Sequence, residues 1–368
     1  MKMKSSVDAK AFSKALDQVS KVLKKSVLPI LGEVSVLFLE NKCVLTATDL
    51  ETWITTEIPA CGDTFSFVFS RTKDVARACR LFEGDLIIEL TETGRERERS
   101  LLTTLRSGSR VAEFAAMLPE DYPVLSPITA ETAVTLNASE LYTRIERVRY
   151  ATQKPSPNCA RVDLTCVQFE KDRIFALDGY RAACDTSEKQ IFPKSFMTSG
   201  EALSHLKMFG SREVSVRYGK NRVQVTDGIS SLYLRMAEAP VYQLDNAVPK
   251  SYREEFYIRP KDFLRELDYL KKIAVGEKVI AVRFRGDQLF VSASSGTYSS
   301  HIKLDGTNDT TVGFDLRYME DALQQFKDET WVKMKVSSET SPFILEAAER
   351  GDFAMVLPFR LKKEVLAA

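Results

Sequence analysis

The chain has 368 residues, of which 44% are hydrophobic and 28% charged, with 52 Lys and Arg against 51 Asp and Glu. That length predicts two to three globular domains, and a net charge of +1 excludes a uniformly basic nucleic-acid binder and an acidic disordered chain while leaving room for a locally basic surface. No apolar run approaches the roughly 18 residues of a membrane-spanning helix. The opening residues, Met1 to Asp8, lack the apolar core of a signal peptide, so the expected location is the cytoplasm, with no membrane partner.

Taken in chain order, the first amphipathic helix starts at Asp8, with Phe12, Leu16 and Val19 at i, i+4 and i+7. A strand is expected over residues 42–50, a short helix from about Ser70, and another strand from Asp85. After a Pro-containing linker at residues 118–123, a second helix starts at Asn137. Glu140 completes a capping pair there, and Leu141, Ile145 and Val148 repeat the first spacing. A strand over residues 173–180, a helix near residues 198–203 and a strand over residues 213–218 follow. Beyond a second linker at residues 239–249, a third helix carries Pro260 in its first turn and Phe263 and Leu267 on its apolar face. Strands over 287–294 and 330–336 flank a helix from Asp315.

This is an internal repeat. Asp8 and Asn137 lie 129 residues apart, as do Asp49 and Asp178 in the strand-end segments Thr46-Ala47-Thr48-Asp49-Leu50 and Ala176-Leu177-Asp178-Gly179-Tyr180. The expected fold class is α+β: three copies of about 120 residues, each with two helices packed on antiparallel sheets. The linkers set the boundaries at residues 1–126, 127–250 and 251–368.

Several chemistries find no support. Cys43, Cys61, Cys79, Cys159, Cys166 and Cys184 form no CxxC pair and are expected to be reduced and mostly buried. His205 and His301 are the only histidines, too few for a zinc site. Neither GxxxxGK[ST] nor GxGxxG occurs. No catalytic residue, metal or cofactor is expected. An Asp-based hydrolase using Asp49 and Asp178 is the enzymatic alternative, but repeated aspartates at strand ends more often accept turn N–H groups.

Charge is unevenly placed. The six expected helices sum to +9, so the remainder sums to −8. A solvated helix face explains this as well as a wall facing phosphates does, and the scarcity of exposed aromatics favours contact with backbone phosphates over base stacking.

Together with the repeat, Leu28-Pro29-Ile30-Leu31-Gly32, Val312-Gly313-Phe314-Asp315 and Met355-Val356-Leu357-Pro358-Phe359-Arg360-Leu361 make the chain resemble the bacterial sliding clamps, the beta subunits of DNA polymerase III, from about Met3 to Leu361. The resemblance implies a head-to-tail homodimer, a closed ring whose helices line a hole around double-stranded DNA without sequence specificity. It implies an ATP-driven clamp loader, a replicative DNA polymerase subunit and other clamp-binding-motif proteins as partners. The implied DNA-facing residues start with Lys25; Lys24, Lys10, Lys14, Arg71, Lys73, Arg77, Arg80, Arg144, Arg147 and Arg149 are added by charge and helix placement. It implies a peptide pocket between the second and third domains from Leu164, Leu177, Gly179, Tyr180, Arg181, Pro240, Tyr242, Val279, Asp315, Tyr318, Pro342, Met355, Leu357, Pro358, Phe359, Arg360 and Leu361. Ile273 and Ala274, against Val111 and Phe114, are the candidate dimer contacts.

The chain departs from the family at three points. Residues 362–368 continue past the usual end beside the pocket, Tyr180 stands where His is common, and Ala182 where Leu is common. Residues 243–248 align with no pocket position. A clamp-shaped paralogue that does not load on DNA is the second alternative.

Overall fold

The computed structural model describes residues 2–93, 100–129, 132–156, 161–276, 279–293, 299–347 and 349–361; for residues 279, 281, 283–290, 293 and 299–310 it describes the backbone alone. Five α-helices are present among them: α1 (Ala9–Val19), α2 (Thr72–Cys79), α3 (Ala138–Arg149), α4 (Pro260–Ile273) and α5 (Leu316–Gln324). The chain divides into two compact units, residues 1–142 with 202–236 and residues 143–201 with 237–368. Among the described residues the first holds a thirteen-stranded antiparallel sheet and the second a ten-stranded one.

One pairing scheme recurs three times. The strand entering each first helix pairs with the strand that follows the second: Lys2–Asp8 with Asp85–Thr93, Thr132–Asn137 with Glu213–Tyr218, and Glu254–Ile258 with Val332–Val336. A three-strand meander follows each time, ending at Arg110–Met117, Ser230–Arg235 and Phe353–Val356. Within the first unit Ser230–Arg235 lies on Thr52–Pro59, and within the second Phe353–Val356 lies on Arg181–Thr186.

The helices start where short polar side chains meet apolar periodicity. Asp8 accepts from the Ala11 N–H at 2.7 Å, Asn137 from those of Ser139 and Glu140, and Asp315 from that of Arg317. The first N–H of α1 donates to Gly84 O and that of α3 to Arg212 O, both at 2.9 Å. Helix α1 buries Phe12, Leu16 and Val19 completely, and α3 buries Ile145 and Val148. Phe263 and Leu267 of α4 join Met319 and Leu323 of α5 in one core. Each such side chain contributes about 1.5–3 kcal/mol when withdrawn from water.

Two elements differ from expectation. The helix expected near residues 198–203 is a 3₁₀ segment, Ala202–Phe209, behind the strand Phe196–Ser199. Its buried Leu203, Leu206 and Phe209 are three apart, a spacing that three residues per turn bring onto one row. In the third copy, the counterparts of four sheet strands run as two long ones, Val279–Ala293 and Ser299–Asp315, with a register shift at Gly286 to Gln288. The thiols of Cys43, Cys79, Cys166 and Cys184 are buried, and burial pushes that of Cys79 up to about 12, helped by the Asp17 charge. Cys61 is exposed, contrary to the general expectation, and Cys159 lies outside the described residues.

Candidate functional site

The strands Arg173–Leu177 and Arg181–Thr186 meet in a hairpin whose turn is Asp178-Gly179-Tyr180. Asp178 Oδ1 accepts from the Tyr180 and Arg181 N–H groups at 2.9 and 3.0 Å. Gly179 supplies the positive φ of 89° that the turn demands. On one face of this sheet Phe175, Leu177, Ala182, Cys184, Leu244, Ile344 and Met355 form a buried apolar cluster, with Leu164, Val241 and Tyr242 packed at its edge. Four residues expected at a pocket from the sequence, Leu164, Leu177, Tyr242 and Met355, are thus brought together. The unassigned stretch 243–248 supplies Leu244, fully buried, and Ala247 and Val248 at the edge.

Arg181 governs the rim. Its Nε donates to Asp178, its Nη1 to Asp321 and its Nη2 to the Tyr150 carbonyl. The guanidinium stacks on Tyr318 at 4.6 Å and on Tyr150 at 5.3 Å. Burial works against its charge, but the hydrogen bond to Asp321 and the two carboxylates outweigh burial and raise its pKa. Tyr180, 61% exposed, stacks on Tyr318 with ring centroids 5.9 Å apart. Asp315 caps α5 and pairs with Arg317 at 3.2 Å. Tyr150, whose hydroxyl donates to Gln325 Oε1 at 3.1 Å, Asp321 and Phe175 escaped the sequence reading. Asp321 carried one signal, three residues beyond Tyr318 on the same helix face. Tyr150 carried none.

The segment after Phe353–Val356 is laid across this rim. The Leu357 N–H donates to Tyr180 O at 2.8 Å and the Phe359 N–H to Gly313 O at 2.6 Å. A Cβ on Gly313 would stand 2.5 Å from Phe359 O and 2.7 Å from Leu361, so only glycine admits this crossing. Leu357, Pro358 and Leu361 are half-buried and Phe359 and Arg360 exposed. Pro240 is exposed on its loop and Pro342 half-buried before the strand Phe343–Ala347. The backbone of Val279 pairs with Asp315; its side chain, like residues 362–368, lies outside the described residues.

The eleven candidate DNA-facing cations separate into groups. Lys10, Lys14, Lys25 and Lys73 are exposed and carry no ion pair among the described residues. Arg71 and Arg77 share Asp74, both at 2.5 Å, Arg80 pairs with Asp17 at 2.8 Å and Lys24 with Asp49 at 3.1 Å, yet all four remain more than half exposed. Arg149 pairs with Glu146 at 2.6 Å. Arg144 and Arg147 turn instead onto the buried Asp185, with side chains 18% and 30% exposed. A carboxylate withdrawn from water needs its cations more than a solvated surface does, which accounts for this pairing.

At the candidate dimer contacts, Val111 is 48% exposed and Phe114 half-buried on Arg110–Met117, a strand whose outer side pairs, among the described residues, only at Ala116 and Met117. Ile273 packs against the core of α4 and α5. Ala274 is buried within its own chain and offers a partner almost no surface; the neighbouring Val275 is 87% exposed. Asp49 Oδ1 accepts from the Glu51 and Thr52 N–H groups, as Asp178 does in its own turn. Both carboxylates are therefore committed to turns, which removes the ground for an Asp-based hydrolase. No group of three or more acidic, His or Cys side chains that could hold a metal occurs among the described residues, and no helix there is long and apolar enough to cross a membrane.

Comparison with known proteins gives one consistent picture. The chain is 24% identical to the beta sliding clamp of Staphylococcus epidermidis, over an alignment covering 94% of this chain and 95% of that protein. It superposes on the crystal structure of the DNA polymerase III subunit beta of Pseudomonas aeruginosa with a TM-score of 0.86 at 17% identity, covering 98% of this chain and all of the other. The Bacillus subtilis DNA polymerase sliding clamp gives the same TM-score and coverage at 18% identity. No protein-family model matches the chain. The resemblance read from the sequence holds over nearly the whole length, and the fold is that of the bacterial sliding clamps.

Proposed function

We propose that the chain is a DNA sliding clamp, a non-catalytic processivity subunit that encircles duplex DNA and tethers a DNA polymerase. The observation that carries this is the pattern of strand edges. In two places the last meander strand of one copy is paired to the second sheet of the copy before it, Ser230–Arg235 on Thr52–Pro59 and Phe353–Val356 on Arg181–Thr186. Among the described residues, two strands of this scheme lack the corresponding partner. Arg110–Met117 has most of its outer side unpaired, and residues 299–303, the counterpart of the joining strands, pair on one side only. A second copy placed head to tail supplies the missing strand at each, and two such joints close a ring. Residues 1–126, 127–250 and 251–368 are its three domains, and Val111 and Phe114 sit on the strand that meets the partner.

The helix cations then act as a group. Lys10, Lys14, Lys25 and Lys73, with the exposed Arg71, Arg77, Arg80 and Lys24, attract phosphates through long, solvated side chains that favour no base. Retention comes from closure of the ring, so affinity for linear DNA is low and salt-sensitive. The apolar cluster that contains Leu177 and Met355 and is edged by Leu164 and Tyr242 takes short apolar segments of the replicative polymerase subunit, the clamp loader and other clients. Two buried anchors together with a few backbone hydrogen bonds give roughly micromolar affinity, weak enough for exchange.

The test is retention on circular DNA. Protein loaded on a nicked circle with a clamp loader and ATP should stay bound through gel filtration and leave when a restriction enzyme cuts the circle. Release that follows salt alone, indifferent to cutting, overturns the proposal in favour of ordinary electrostatic binding.

A further inference from the structure

One polar side chain stands inside the apolar face of the pocket. Gln168, on the strand Cys166–Phe169, is fully buried. It lies opposite Phe175 on one neighbouring strand and Met197 on the other, so it shares the face on which Phe175, Leu177 and Met355 cluster. Its Oε1 accepts from the Tyr242 N–H at 2.6 Å, while its Nε2 has no hydrogen-bond partner. Holding Tyr242 requires an acceptor only. The amide NH₂ is surplus to that task, and native interiors hold few unmet donors.

The cover over Gln168 is thin. Val241 and Tyr242 are half-buried, and Pro240 and Gln243 beside them are exposed. The same loop is tied further on by Arg173 to Asp245 at 2.7 Å, an ion pair whose acidic partner is 76% exposed. The Tyr242 N–H bond ties Gln168 directly to this loop, so a shift of residues 241–242 would be felt at the amide.

We propose that Gln168 is a specificity-determining residue of the pocket. Its oxygen positions the Val241–Tyr242 wall, and its NH₂ donates to an acceptor oxygen, a side-chain carbonyl or carboxylate, placed beside the apolar anchors of the docked peptide. This rests on the peptide-binding reading above. A peptide bearing such an oxygen meets the unmet donor, and one with an apolar group there leaves it stranded under a closed lid.

Three fluorescent peptides test it, each with Leu and Phe anchors and differing only in the residue before Leu: glutamine, glutamate or norleucine. Wild-type protein should bind at least one of the oxygen-bearing peptides about tenfold more tightly than the norleucine peptide. Gln168→Leu should bind all three equally, with thermal unfolding confirming that it folds. Equal binding of all three by wild type overturns the proposal without any variant, assigning the Nε2 to buried water. Selectivity that survives in Gln168→Leu overturns it as well. If wild type binds none of the three, the peptide-pocket reading itself falls, and the role of Gln168 with it.

Discussion

The two strand joints are built on one plan and finished differently. In the first unit the turn Asp49-Leu50-Glu51 leads into Thr52–Pro59, and the Arg235 N–H donates to Glu51 O at 3.0 Å. In the second the turn Asp178-Gly179-Tyr180 leads into Arg181–Thr186, and the Leu357 N–H donates to Tyr180 O at 2.8 Å. The backbone is the same, but the side chains are not. Glu51 and Arg235 close the first joint with a solvent-exposed ion pair at 2.9 Å. At the second, Tyr180, Leu357 and Phe359 leave apolar surface beside a buried cluster. In the proposed reading, a strand joint is a structural unit that side chains at two or three positions convert into a binding site.

Removing the arginine at each joint should separate them most. Arg181 is 11% exposed and holds two carboxylates and a carbonyl. Arg181→Met strands Asp178 and should cost about 3 kcal/mol. Arg235→Met breaks a pair exposed by more than half on both sides and should cost 0 to about 1 kcal/mol. Urea unfolding of both variants measures the gap, and equal midpoints would end the distinction between a sealed and an open joint.

Gly313→Ala is next in size. The added Cβ meets the Phe359 carbonyl and Leu361, so residues 357–361 must lift off the rim. We expect about 1–3 kcal/mol of destabilisation and weaker binding of a Leu- and Phe-containing peptide in titration calorimetry. Unchanged affinity would mean that the terminal segment does not shape the site.

How far the sequence could be read follows from the same contrast. The repeat was legible because turn aspartates, helix caps and apolar spacings are local, and a 129-residue offset carries them intact from copy to copy. The proposed pocket was suggested only by resemblance. Leu164, Leu177, Tyr242 and Met355 look like ordinary core residues until the sheet brings them together. The pairing of Arg144 and Arg147 with Asp185 was not legible, because charge and helix placement cannot reveal a carboxylate on a neighbouring strand. Gln168 and Tyr150 gave no sign, since a buried polar group is defined by what surrounds it in space. Residues 243–248 lacked periodicity because their loop is fixed by Leu244 and by the Asp245 ion pair rather than by a regular element.

The turns themselves offer a smaller test. Gly179 and Gly228 have φ of 89° and 90° in matching turns, and Leu50 holds φ of 75° in the third. A branched side chain in that region is strained, whereas glycine is not. Leu50→Gly should therefore stabilise the chain by up to about 1 kcal/mol, after the greater freedom of glycine in the unfolded state is set against the relief. A lower denaturation midpoint would show that Leu50, 43% exposed, makes contacts worth more than its strain.

The smallest effect concerns pH and the loop over Gln168. The hydrogen bonds from Arg173, opposed by slight burial, hold the Asp245 carboxyl below its usual value of 3.8. A carboxyl whose folded value is depressed stabilises the fold above its unfolded value and loses that contribution as pH falls through the folded one. The tie is therefore intact at neutral pH, and its contribution fades as pH falls below the ordinary carboxyl value toward the depressed one. Because Asp245 is largely exposed, its worth is under about 1 kcal/mol, seen best as a local event. Amide exchange at Leu244 and Ala247 should quicken relative to the core strands as pH drops from 5 to 3, after correction for intrinsic rates. Asp245→Asn should show the quicker relative exchange at both pH values. If that variant instead keeps the wild-type pH response, the loop is held by Leu244 and the Gln168 bond alone, and the open joint is gated by apolar packing rather than by charge.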